Sequence, residues 1–244
     1  MTEWFLTKPL GIFSRFSWSA ATLQGVTTTL LPTPVKTDAA VLRARAGMLA
    51  WLAIALVCAS QLVISYLTVV LWQQVDPITN PVSDYVYHTP GDPLFIVAIL
   101  LVILGGLALI AGMNGVDMPR ARATNVLFGL WGAGLLLVAS FHGNSSTNDP
   151  TVHGEIHRFG GAVFLTCLPL ATWTLARTLA ADPRWVATAT RIRKLTVAGF
   201  VTAVAFGLAQ VVPSLPQGLL ERLALGAELV LLLSLALAVR RAAR

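Results

Sequence analysis

Six stretches of the chain are apolar enough and long enough to cross a hydrocarbon core: residues 47–72, 93–112, 123–142, 159–177, 195–213 and 222–240. A spanning helix needs about 20 such residues at ~1.5 Å each. The period-two alternation of a membrane barrel is absent. With 56% hydrophobic and only 11% charged residues, the chain lacks the polar surface an ordinary soluble domain requires. The expected fold is all-α: a polytopic membrane protein with a six-transmembrane-helix bundle over residues 47–241, preceded by a cytoplasmic or interfacial tail and linker over 1–46.

The net charge of +6 invites a nucleic-acid reading, but the distribution of charge along the chain points elsewhere. All 17 Lys and Arg residues except Arg158 and Arg222 lie in the tail, the second and fourth connections, or the C-terminal end. Six spans put those segments on one side, and the positive-inside rule makes that side cytoplasmic. The expectation is cytoplasmic N- and C-termini, a plasma (bacterial inner) membrane location and no nucleic-acid partner. Residues 1–46 lack the basic start, apolar core and cleavage site of a secretory signal, so the first span is expected to be retained as anchor and insertion signal. Within the tail, "WFLTKPLGIFSRFSW" mixes aromatic and basic residues as an interfacial helix does. Cys58 and Cys167 fall inside spans and are read as small buried apolar residues rather than a disulfide.

The first and third connections, "QQVDPITNPVSDYVYHTPGD" and "HGNSSTNDPTVHGEIHR", are long and chemically mixed, and together hold all four histidines. Connections of this chemistry are where function tends to sit. In "NDPTVHGEIHR" the sequence suggests Asp149 as helix cap and Pro150 as first helical residue. The same logic makes Asp92 and Asp182 candidate caps. His153 and His157 are then one turn apart on one face, a spacing compatible with a shared metal ion. Glu155 points away from both, so "HGEIH" is not the HExxH signature.

A metal would need a third ligand, for which His88 is the first candidate and His142 the alternate. Zinc is the first guess for a divalent ion. Asp84 and Asp149 are candidate bases or orienting groups, and Arg158 a candidate anion binder, with Glu155 as its competing salt-bridge partner. A metal-free acid/base or ligand-binding cluster and plain polar packing remain open beside the metal site. Haem is argued against, because two stacked haems would need histidines near both faces. Glu228 lies within the sixth span, where an ionisable group is a functional candidate by default, beside an internal-packing role toward Gln61 or Gln210. Tyr85 and Tyr87 suit an interfacial aromatic belt.

Six spans, "NPVSDYVY" with "PGDPLF" in the first loop, and Asp149-Pro150 followed by His153-Gly154 and His157 resemble the actinobacterial "domain of unknown function 998" membrane proteins. The resemblance covers roughly residues 45–240 and implies the six-span fold but no reaction. More distantly the chain is similar to DRAM/Sfk-like proteins associated with membrane-lipid organisation. A remoter analogy of site chemistry is to the seven-span zinc hydrolases that include the alkaline ceramidases. It implies His153 and His157 as the ligand pair, His88 as third ligand and Asp84 or Asp92 as the acid. The chain departs from that group in its span count and in carrying the pair at the start of span 4.

Two readings of function follow, with a proton-coupled carrier using Glu228 and the histidines a weaker third. One is a metal-dependent, hydrolase-like enzyme acting on a lipid or amphiphile at the outer leaflet. The other is a non-enzymatic membrane protein that binds a lipid or a protein partner through the same polar loops.

Overall fold

The computed structural model describes residues 39–144 and 151–244. Among these the chain is all-helical, with six helices long and apolar enough to span a membrane: α1 Ala39–Val70, α2 Gly91–Gly115, α3 Arg122–Ser140, α4 Val152–Leu179, α5 Val186–Ala209 and α6 Gln217–Ala242. A short 3-10 helix, Val82–Tyr87, lies in the first connection. The protein is a multi-pass membrane protein. The aromatic tail segment and Asp149 lie outside the described residues.

Several helices run past their apolar cores. α1 begins at Ala39 and α4 at Val152, each several residues before the sequence pattern starts. Helix ends that emerge from hydrocarbon need backbone partners rather than apolar side chains, so hydropathy alone misses them. At α4 the cap is Thr151, whose Oγ1 accepts the Gly154 N–H at 3.0 Å. Pro150, like Asp149, lies outside the described residues. Asp92 sits inside the first turn of α2, which starts at Gly91, and makes no capping hydrogen bond. Its Oδ1 lies 3.0 Å from His142 Nε2, without the alignment of a hydrogen bond. Asp182 accepts from the backbone and side chain of Arg184 and stabilises the turn ahead of α5, whose cap position is Trp185.

Each helix packs on the next, and α6 closes the ring against α1 while also touching α2 and α4. Two of these seams are drawn tight by glycine. A methyl group on Gly134 of α3 would stand 2.8 Å from the Gly160 carbonyl of α4, and one on Gly115 of α2 would stand 2.9 Å from Ala46 of α1. Small residues of this kind allow backbones to approach where lipid supplies no hydrophobic drive between helices. Buried threonines add hydrogen bonds across helices, Thr172 to Thr196 at 2.8 Å and Thr124 to Thr174 at 2.9 Å. Of the cysteines, Cys167 is buried as expected, whereas Cys58 faces outward from α1; both are free thiols.

α5 is held unevenly. Its buried residues Ala189, Ile192, Thr196 and Gly199 all lie at or before its middle turn, and the next is Ala209 at its end. Around Gly207 a methyl group would meet nothing within 4 Å. The second half of α5 thus stands off from its neighbours, and the ring encloses space at the end that carries the first, third and fifth connections.

Candidate functional site

That space is a cavity of about 940 Å³, bordered by all six helices and by residues 79–84 of the first connection. Its deep part is apolar, with Phe95, Ile99, Leu135, Leu165, Phe200 and Leu232 among its walls. Its mouth is polar, bordered by Asn80, Asp84, His157, Arg158, Gln210 and Glu221. The order follows from topology, because the apolar residues come from mid-helix and the polar ones from helix ends and loops.

The first connection is fastened over this mouth by adjacent residues of α6. Nη1 of Arg222 donates to the carbonyls of Asn80 at 2.9 Å, Pro77 at 3.1 Å and Gly218 at 3.1 Å, and Nη2 donates to the Tyr85 hydroxyl at 2.8 Å. Tyr85 in turn donates to Thr68 Oγ1 of α1 at 2.8 Å. Glu221 accepts the Val82 N–H at 2.5 Å. A planar guanidinium suits this role, since it presents several fixed donors to several carbonyls at once. Tyr85 is fully buried, which corrects the expectation of an interfacial belt residue. Half-exposed Tyr87 instead donates to the Gly143 carbonyl and thereby joins the first connection to the third.

The histidines have different surroundings. His157 Nδ1 lies 2.7 Å from the Phe141 carbonyl. A carbonyl only accepts, so Nδ1 carries the proton and the neutral ring leaves a lone pair on Nε2. His157 borders the cavity mouth, with Nε2 against Gly143. His153 sets its ring edge-on to Phe141, centroids 5.5 Å apart. His142 lies beside Asp92. His88 and His157 both act electrostatically on Asp84. Among the described residues, no three His, Cys, Asp or Glu side chains gather closely enough to hold a metal ion.

Burial holds the Asp84 carboxyl above its ordinary value, while a hydrogen bond from Asn80 and the Arg222 guanidinium pull it back. Burial raises Tyr87 as well, and Asp84 adds to that. Arg158 borders the mouth and pairs with Glu155 at 3.1 Å, the salt bridge that competed with anion binding in the sequence. Deeper in the cavity, Glu228 is 6% exposed and accepts the Trp131 indole N–H at 3.2 Å. The anchoring pair Glu221–Arg222 was not singled out as a site from sequence. Its signal was present, because Arg222 is one of only two basic residues on its face.

The fold and the cavity define a class: a six-helix, multi-pass membrane protein with an internal chamber under a fastened loop. A family model described as "Protein of unknown function (DUF998)" matches residues 55–238, and the chain belongs to that family. No curated protein and no solved structure matches it.

Proposed function

We propose that the protein binds a single long-chain amphiphile from the membrane, seating the polar end at the cavity mouth and the hydrocarbon chain among the helices. The observation that carries this reading is the cavity itself, about 940 Å³, polar where the helices end and apolar where they cross. A small-molecule site is commonly a concave, mostly apolar space of about 300–1,000 Å³ with a few placed polar groups. The basic residues at the opposite end of the helices support placing the mouth on the extracytoplasmic side of the plasma membrane, with both termini in the cytoplasm. Lipid extracted from the purified protein should contain one species enriched over the bulk membrane extract, near one per chain. A lipid profile identical to the bulk extract would overturn the reading.

A second reading, hydrolysis of the bound amphiphile, is favoured by His157. Its Nδ1 proton is committed to a backbone carbonyl, so Nε2 is set to accept a proton or bind a metal at the mouth, near the raised Asp84 carboxyl. A divalent ion, zinc first, belongs to this second reading. Release of a free fatty chain from added lipid by the wild type, lost in His157→Ala, would establish it. No turnover across neutral and charged headgroups would leave binding alone.

A further inference from the structure

Glu228 has a free oxygen in the wrong place for an ordinary core residue. Its Oε2 accepts from Trp131, but its buried Oε1 has no hydrogen-bond partner, and the residue borders the cavity. Among the described residues no cationic side chain acts on it. A carboxylate charge there would be uncompensated in apolar surroundings, so the neutral acid is the form that costs least. The indole N–H already occupies Oε2, which places the acid's O–H on Oε1. The result is a buried donor without an acceptor, and a group of that kind costs about 1–3 kcal/mol while unmet.

Position limits what meets it. Glu228 lies ~9 Å further along α6 than Arg222, at ~1.5 Å per residue, so it is well below the polar mouth. Leu232, a further turn along, still borders the cavity. The acceptor must therefore be an oxygen carried below the headgroup and above the hydrocarbon chain. In acyl lipids that oxygen is the ester or amide carbonyl. An ether-linked chain offers at that point only a poor acceptor.

We propose that Glu228 is the recognition point for the acyl carbonyl of the bound amphiphile, so that the cavity selects ester- or amide-linked acyl chains over ether-linked ones. The inference rests on the amphiphile-binding reading above. Trp131 is a positioning residue, holding Oε2 so that Oε1 faces the ligand.

The test is a binding comparison on the full-length protein in detergent, using 1-myristoylglycerol and its 1-O-tetradecyl ether, which share headgroup and chain length. The wild type should bind the ester about tenfold more tightly, the scale of one buried hydrogen bond. Glu228→Leu, close in size and apolar, should bind both alike, with ether affinity unchanged. Glu228→Gln keeps an acceptor for Trp131 and an N–H donor for the carbonyl, and should keep most of the preference. Equal binding by the wild type, or a preference that survives in Glu228→Leu, would overturn the role of Glu228 and leave the cavity reading standing. Binding of neither compound would overturn both.

Discussion

Arg222 donates to the Tyr85 hydroxyl at 2.8 Å, and that hydroxyl donates to Thr68 at 2.8 Å, so one run of hydrogen bonds links α6, the 82–87 helix and α1. Through it the first connection becomes part of the helix assembly and defines one wall of the cavity mouth. Arg222→Ala would leave the Pro77 and Asn80 carbonyls and the buried Tyr85 phenol without the donor they have here. A buried polar group left without its partner costs about 1–3 kcal/mol. Unfolding in a detergent titration should show a destabilisation on that scale, with proteolysis newly directed to residues 76–90. Arg222→Lys should recover only part of it, since an ammonium cannot span the same fork.

The same fastening depends on a close approach at Gly218, where an added methyl group would stand 2.2 Å from the Asn80 carbonyl oxygen. That atom is backbone and cannot swing away. Gly218→Ala should therefore push the loop off α6 and lower stability by about 2 kcal/mol. Gly207→Ala is the matched control in α5, where nothing lies within 4 Å of the new methyl group. It should be neutral or gain up to about 1 kcal/mol from helix propensity. Similar losses at both positions would refute the account of the loop anchor.

Much of the fold was legible because apolar length is written into sequence directly. All six spans were found, and the early starts share a cause: Ala39, Val152, Val186 and Gln217 open helices through polar or mixed residues that hydropathy does not count. The cap before Val152 is Thr151, where the sequence reading had set Asp149; both residue types cap well, so residue type alone does not separate them. The site was less legible. Residues at the mouth such as Asp84 and His157 stood out as polar groups in an apolar chain. The cavity did not, because it arises from the standing-off of the second half of α5, a difference in packing between helices of similar composition. Glu228 was visible as an oddity, but its partner Trp131 is on another helix and has no sequence relation to it.

Asp84 gives the structure a pH dependence of calculable sign. Its folded-state carboxyl lies above the ordinary 3.8 because burial disfavours its charge. Below 3.8 both folded and unfolded chains carry the proton and Asp84 favours neither. As pH rises from there toward the folded-state value, the unfolded chain releases its proton first, so stability falls through that window and then levels off. Asp84→Asn keeps an acceptor for the Asn80 side chain but cannot ionise. Its stability should lack that fall, leaving it equal to or above wild type at neutral pH. A parallel pair of stability profiles would show that Asp84 is not held in the environment described here.

The cavity makes one prediction in which stability and function move in opposite directions. Gly161 of α4 borders the cavity, and a methyl group added there meets nothing within 4 Å. Gly161→Leu starts its side chain in open space at the cavity wall. Removing a glycine from a helix interior gains up to about 1 kcal/mol, and the new side chain covers apolar wall that otherwise waits for a ligand. The variant should therefore unfold later than wild type in detergent. Its co-purifying lipid should drop, since the new side chain takes up part of the space along the apolar wall where the chain would lie. Loss of stability together with lipid would mean that the space is already packed. Retention of lipid at wild-type levels would mean that the amphiphile binds elsewhere on the helices.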